Sequence, residues 1–542
     1  MPGFISYQKK NDQEYATFCL AKWTGNAKIN ETVYLGRVVD KENGVFYSKK
    51  RGGLFTFSVK DGFGEAPEKE PDSGFGKRKA KRKEVCSLDY GDAFFLDGFL
   101  KSTPYYDVFC SIAPDAKDIL LSLVYFYILK GGAREHMRDW WDGSYVCLMY
   151  PDAVPSGSKI SKLYRKLSDP DLQLRFTRKY MEAVLSGSGI HGILIDSTGM
   201  PNAISMDKRE VWNHDGSCDE GARLIYVCER NTGLPLAART ISGNIIDAST
   251  IANTIDDLER VGVCTDFAIL DAGYYTDANI RLLHEKKIAF VTRIKKNRKL
   301  YKEIFNRNRP GLEDAANLVS FNGRVLYIKK VPCVLAESIE AYSYIVLDTK
   351  MQGLESAQAL SGPIEDKVNR EELERIRSMC GTFMMVSSEE LDPSEILPLY
   401  YTRGQIEQVF DIAKGSAELL QLGLHSEETF DGHVFVSFLA VIICHLLQRL
   451  FLNERMTTSE ALGALRNHKC KLYDNGDMVP YESKKKQNLC YDLIKVKPQK
   501  KHFDKCPSIW CVLARNSTDD GASQHRCVAS SAPPVSSRTL RI

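Results

Sequence analysis

The chain lacks a dominant charge. Its 73 Lys and Arg stand against 70 Asp and Glu, a formal net charge of +3 over 542 residues. That balance points to no polyanionic partner, so any argument for nucleic acid has to rest on local clusters. It also lacks a paired Cys-x2-Cys: the 15 cysteines are scattered. Cys506 and Cys511, with His502 and His525 nearby, come nearest to a cluster but miss the paired spacing of zinc modules. An odd, unclustered count reads as reduced thiols in a cytoplasmic protein. The opening MPGFISYQKKNDQEY has no apolar signal region. The most apolar stretch, Val434 to Phe451, is interrupted by His445, Gln448 and Arg449. It is therefore expected as a buried helix rather than a membrane span, and the protein as soluble. No internal repeats stand out.

What is present is a globular composition, 43% apolar and 10% aromatic, on a chain long enough for several domains. Residues 1–75 read as a β-rich region, in which VYLGRVV and VFYSKK flank DKENG, with Asn43-Gly44 as a hairpin turn. A basic linker follows at 76–84, with Lys77, Arg78, Lys79, Lys81, Arg82 and Lys83. It reads either as a solvated linker or as an arm that neutralises phosphates. Residues 85–190 have helical apolar spacing in KDILLSLVYFYIL and LRFTRKYMEAVL and read as a helical region, expected to bind DNA on the strength of its basic residues. Between these two helices, SGSKISKLYRKLSD carries Lys159, Lys162, Arg165 and Lys166 behind a serine cap. Such a helix suits a DNA groove or a plain surface.

From about 191 the pattern becomes regular. GILI is a short strand candidate ending at Asp196. RLIYVCE and LPLAARTIS form a strand pair around RNTG. STIANTIDDLERVG reads as a helix, FAIL as a strand ending at Asp271, TDANIRLLHEKK as a helix and IAFVT as a strand. Residues 191–299 are thus expected as the first part of an α/β core, 300–390 as a β-rich insertion, and 391–455 as the second part of the core. A basic C-terminal region occupies 456–542, Ser-, Ala-, Pro- and Asp-rich from about 516 and expected to be disordered.

The most informative stretch is YYTRGQIEQVFDIAKG. Tyr400, Arg403, Glu407 and Lys414 stand at offsets of 3, 7 and 14, which on one helix is a single narrow stripe. A tyrosine, two cations and a carboxylate make a poor core face, but they suit one metal ligand held beside a phosphate backbone. The plain alternative is an exposed helix on which Arg403 and Glu407 pair with each other. Two acids upstream, Asp196 and Asp271, each follow an apolar run. If their strands pair, the two lie side by side and Glu407 reaches them from a packed helix. Phosphodiester chemistry needs an activated oxygen nucleophile and a stabilised leaving oxygen, which a carboxylate-held metal pair supplies.

At these residues the chain resembles DDE insertion-sequence transposases of the class with the Tyr-Arg-Glu-Lys signature. The resemblance rests on IDST with Asp196, on Gly243-Asn244-x-x-Asp247, on LDAGYY with Asp271, Gly273 and Tyr274, and on the helix with Glu407. It covers roughly residues 190 to 450 and implies an α/β fold, an RNase H-like mixed sheet flanked by helices. A β-rich insertion would fall between Asp271 and Glu407, which are 136 positions apart. In that reading Asp196, Asp271 and Glu407 hold two Mg²⁺ ions, with Mn²⁺ as a substitute, while Tyr400, Arg403 and Lys414 grip phosphates. Relatives that hold a flipped base use a tryptophan in the insertion, and this chain has none between Asp271 and Glu407.

Beyond the helix, Arg293, Lys295 and Lys296 are DNA-contact candidates beside the active face, or else a solvated charged face. His433 is expected as a packed or capping histidine. The implied activity is cut-and-paste DNA transposition: strand cleavage and strand transfer on double-stranded DNA, at terminal inverted repeats and a target, by a homodimer. Two other readings stay open, a catalytically silent DNA-binding relative and an RNase H-fold nuclease.

Overall fold

The computed structural model describes residues 3–10, 13–24, 27–65, 83–187, 190–201, 210–212, 218–242, 249–360, 370–416 and 426–503. The basic residues at 77–82, the segment with Gly243, Asn244 and Asp247, Cys506, Cys511, His525 and the tail from 516 lie outside them. The chain divides into two units, Met1–Lys83 and Glu84–Ile542.

The first unit is an antiparallel meander of six strands: β1 (Phe4–Lys10), β2 (Gln13–Thr24), β3 (Ala27–Asp40), β4 (Val45–Ser48), β5 (Gly53–Ser58) and β6 (Gly62–Gly64). The expected hairpin is the β3–β4 turn. Gly44 takes φ +60° there, and a Cβ would stand 2.7 Å from the Phe57 carbonyl oxygen, so glycine is required twice over. Phe55 and Phe57, two apart on β5, share one face by strand alternation. With Ala16, Leu35 and Phe46 they form a small core of their own.

The second unit opens with β7 (Glu84–Asp89). Seven helices follow: α1 (Gly91–Lys101), α2 (Tyr105–Ile112), α3 (Lys117–Leu129), α4 (Met137–Gly143), α5 (Val146–Met149), α6 (Gly157–Leu167) and α7 (Pro170–Gly187). The Ser156 hydroxyl caps α6 by accepting from the Lys159 N–H. Ile160, Leu163, Tyr164 and Leu167 of α6 are buried, while Lys159, Lys162, Arg165 and Lys166 are exposed.

A mixed sheet then builds up. Its strands are β8 (Ile193–Pro201), β9 (Glu210–Trp212), β10 (Cys218–Glu229), β11 (Pro235–Ser242), β12 (Phe267–Leu270) and β13 (Ala289–Ile294), with α8 (Ile251–Arg260) and α9 (Asp277–Glu285) between the later ones. The order is β11-β10-β8-β12-β13. The β8–β10–β11 pairings are antiparallel, those of β8 with β12 and of β12 with β13 are parallel, and β9 pairs β10. This is the mixed sheet flanked by helices that the resemblance implies.

The strands expected as an insertion do not form a separate sheet. After α10 (Lys299–Asn308) come β14 (Leu318–Phe321), β15 (Arg324–Leu335), β16 (Ile339–Asp348), α11 (Thr349–Leu360), α12 (Arg370–Met379) and β17 (Thr382–Ser387). β17 pairs antiparallel with β13, and β16, β15 and β14 follow outward, so the central sheet continues to ten strands. The unpaired edge of β13 is what these strands complete.

The chain then returns through α13 (Pro393–Tyr401), α14 (Gly404–Asp411), a π-helical turn at Ile412–Ser416, and α15 (Glu427–Leu452). α15 carries the most apolar stretch. It is long and apolar enough to cross a membrane, yet it is buried on nearly all sides against α3, α6 and β11. A helix apolar all round needs such a place. The chain ends with α16 (Thr458–Arg466), β18 (Lys469–Tyr473), β19 (Asp477–Pro480), α17 (Lys485–Leu493) and β20 (Lys501–His502). β18 pairs antiparallel with β7, 380 positions upstream in the register Lys469 to Asp89. One continuous core runs from Leu88 to Tyr491. The segments bounded at 190, 299, 390 and 455 all contribute to this hydrophobic interior.

Candidate active site

Asp196 is not at a strand end, as expected, but is the fourth residue of the nine-residue β8. Asp271 directly follows β12. The parallel register pairs Leu270 with Ile195, so the two aspartates are the next residues on neighbouring strands. The Ser197 N–H donates to Asp196 Oδ1 at 2.8 Å, and the Thr292 hydroxyl of β13 donates to the Asp271 carbonyl at 3.3 Å. By strand alternation Thr198 shares the face of Asp196.

The four-residue stripe comes from two helices and a π turn rather than from one helix. Asp392 caps α13 in a capping box with Glu395. α13 ends at Tyr401, and Arg403 sits at the N-cap of α14. Lys414 lies in the π turn, whose wider winding alters the angular spacing of the stripe.

All three acids converge on Arg403. Its Nη2 donates to Asp196 Oδ2 at 2.7 Å, and its Nη1 pairs with Asp271 Oδ1 at 3.0 Å. Glu407 Oε1 stands 3.9 Å from Nη2, and its side chain is 65% exposed. Nη1 also donates to the Tyr400 hydroxyl at 3.0 Å, and that hydroxyl lies 3.5 Å from Asp271 Oδ1. Farther along, Lys414 Nζ donates to the Thr198 hydroxyl at 2.5 Å. The helix layer thus meets two same-face residues of β8, Asp196 through Arg403 and Thr198 through Lys414.

Burial sets the electrostatics. Desolvation raises the Asp196 pKa above the ordinary carboxylate value, and Arg403 and the Ser197 N–H pull it back only in part. Burial likewise pushes the Tyr400 hydroxyl up to about 12, so it remains a neutral donor. Burial opposes the charge of Arg403, but Tyr400 and the two aspartates outweigh it and the guanidinium stays charged.

The donor set of three carboxylates is hard oxygen chemistry of the kind Mg²⁺ or Mn²⁺ takes. In their present positions, however, no three carboxylates, imidazoles or thiolates among the described residues stand close enough to share one ion. The physical reason is the guanidinium: it fills the space between Asp196 and Asp271 and leaves Glu407 at the rim.

The other expected DNA contacts are dispersed. Arg293 lies over the Phe383 ring at 4.5 Å, and its charge acts on Tyr400. Lys295 is exposed. Lys296 donates to the Met379 carbonyl at 3.0 Å and pairs with Glu355 at 3.3 Å, facing α11 and α12. His433 is buried in hydrogen-bond contact with Tyr127, its Nδ1 at 2.6 Å from the hydroxyl, as a packed histidine should be. Sequence reasoning did not pair Thr198 with Lys414, although the two-residue alternation from Asp196 carried that signal.

Residues 187–443 match the family described as "Transposase DDE domain". No curated protein matches the chain. Among solved structures, a piggyBac transposase synaptic complex with hairpin DNA is 9% identical with a TM-score of 0.38, covering 80% of this chain and 84% of that one. A Drosophila P element transposase strand transfer complex is 10% identical with a TM-score of 0.21, covering 63% and 81%. At those scores neither likeness carries the argument, which rests on the family match. The chain carries a transposase DDE domain over residues 187–443, and its function is that of a transposase, an enzyme of DNA cleavage and strand transfer.

Proposed function

We propose that this transposase works by the cut-and-paste route, with Asp196, Asp271 and Glu407 as its acid triad and with the Tyr-Arg-Glu-Lys group Tyr400, Arg403, Glu407 and Lys414 at the DNA. The observation that carries this reading is the convergence of three carboxylates, from β8, the end of β12 and α14, within 4.0 Å of one guanidinium. DDE transposases use divalent metal ions. Here the three acids would hold two Mg²⁺ ions, which supply an activated oxygen nucleophile and neutralise charge on the phosphate.

The chain's own residues then have defined tasks. Tyr400 donates a neutral hydroxyl beside Asp271. Arg403 suits a bidentate phosphate contact, and Lys414 places a point charge above β8. The DNA partner would be a duplex bearing the element's terminal inverted repeats together with a target duplex, engaged by a homodimer. The match of residues 187–443 to a transposase DDE domain supports DNA as the partner.

The test is cleavage of a plasmid carrying the gene's own flanking DNA, with Mg²⁺, by wild type and Glu407→Gln. Cuts at the flanks by wild type alone support the reading. Binding without cuts by wild type would instead identify a silent DNA-binding relative, and cuts throughout the plasmid a general nuclease.

A further inference from the structure

We propose that Arg403 is the resident cation of the acid centre: its guanidinium holds Asp196 and Asp271 together and must leave them for a divalent ion to bind. The inference rests on the acid triad proposed above. Three observations carry it. The guanidinium bridges the two aspartates, 2.7 Å from one and 3.0 Å from the other, and so occupies the space a shared ion would need. Its side chain is only 16% exposed and that of Asp196 11%, so this arm of the bridge is shielded from solvent, while Asp271 on the other arm is 40% exposed. Its Nε is buried without a hydrogen-bond partner among the described residues, so the side chain is incompletely satisfied where it lies.

Two cations cannot share this space, because like charges a few ångströms apart in a half-buried site repel strongly. Ion entry and the Arg403 bridge are therefore mutually exclusive. Arg403 is the N-cap of α14, and its carbonyl accepts from the Ile406 N–H at 3.0 Å, so the guanidinium leaves by rotation of its long side chain while the backbone of the helix stays in place. The released guanidinium is free for a phosphate, which couples ion loading to DNA engagement. Arg403 is in this sense a positioning residue that acts through Asp196 and Asp271.

The experiment measures Mn²⁺ binding to the full chain by electron paramagnetic resonance, without DNA. Arg403→Gln should tighten Mn²⁺ binding on the order of tenfold, and Arg403→Lys, which keeps the charge, should stay near wild type. Equal or weaker binding by Arg403→Gln overturns the inference. An Asp196→Asn, Asp271→Asn double variant separates the two readings. If it abolishes binding while Arg403→Gln changes nothing, the exchange alone fails. If it leaves binding intact, the acid-centre reading fails and takes the inference with it. A wild-type measurement guards against misfolding of the variants: phenylglyoxal labelling of Arg403, mapped by mass spectrometry, should rise several-fold on adding Mn²⁺. Unchanged labelling overturns the exchange.

Discussion

Leu270 stands opposite Ile195 in the parallel ladder between β12 and β8, and this one register sets Asp271 beside Asp196. A slip of one residue would turn one of the two carboxylates to the opposite face of the sheet. The register is held by a buried ladder in which Ile193, Leu194, Ile195, Ala268, Ile269 and Leu270 are all nearly inaccessible.

Tyr400 links Arg403 to Asp271 through its hydroxyl. Tyr400→Phe keeps the ring and removes only that link. Cleavage is expected to fall about tenfold, the effect of one lost hydrogen bond to a charged group. Single-turnover cleavage would measure it, and a variant as fast as wild type would show that the hydroxyl plays no part in the chemistry.

Lys414 is held above β8 by Thr198. Lys414→Ala should weaken duplex binding and lower the slope of log K against log salt by about 1, as for one lost phosphate contact. Thr198→Val keeps the charge, so its slope should match wild type while its affinity drops slightly. Equal slopes for wild type and Lys414→Ala would place Lys414 away from the phosphates.

His445 lies buried on α15 with Nε2 3.0 Å from the Thr232 carbonyl. Burial lowers its pKa to about 4, against the pull of the Thr232 contact and with help from Arg449. Between that value and the ordinary value near 6.5 the unfolded chain binds the extra proton. Stability is thus fully present above about pH 6.5 and is lost as the pH falls toward 4, by on the order of 3 kcal/mol. His445→Gln should flatten this part of a denaturation-versus-pH curve, and an identical slope in the variant would assign the effect to other groups.

Gly432 marks the crossing of α15 over α6. A Cβ there would stand 2.1 Å from the Tyr164 carbonyl oxygen, against backbone that cannot yield as a side chain can. Gly432→Ala should cost about 3 kcal/mol despite the better helix propensity of alanine. Denaturant unfolding would read it, and a neutral or stabilising effect would mean that the two helices are not this close.

Much of the fold was legible locally. FAIL, AYSYIVLD and TFMMVS lie within β12, β16 and β17, and IAFVT overlaps β13 from Ala289 onward, because short β-branched or aromatic runs bounded by turns have few other options. The Thr276 cap of α9 and the Ser156 cap of α6 formed as serine and threonine side chains dictate. Strand length was less legible. β8 runs five residues past Asp196 because β10 pairs with it throughout, and no local residue reports that partner. The stripe on one helix was likewise an overextension: a tightened turn with three-residue hydrogen bonds at Thr402–Arg403 and a π turn at Lys414 interrupt a periodicity that still brings its side chains to one face.

By itself the sequence determined which residue types are available and in what order: two acids behind apolar runs, a third on a helix with tyrosine, arginine and lysine, and enough alternating strands to make a mixed sheet. Those properties are local, set by side-chain chemistry and backbone preference. Only the tertiary structure decided that strands from 318 to 387 extend the central sheet, that β7 is closed by β18 from the far end of the chain, and that Arg403 lies between Asp196 and Asp271 with Glu407 at the rim. Each of these depends on pairing between residues distant in sequence. A buried carboxylate or an open strand edge takes the best partner that packing brings within reach, and packing is a property of the whole core.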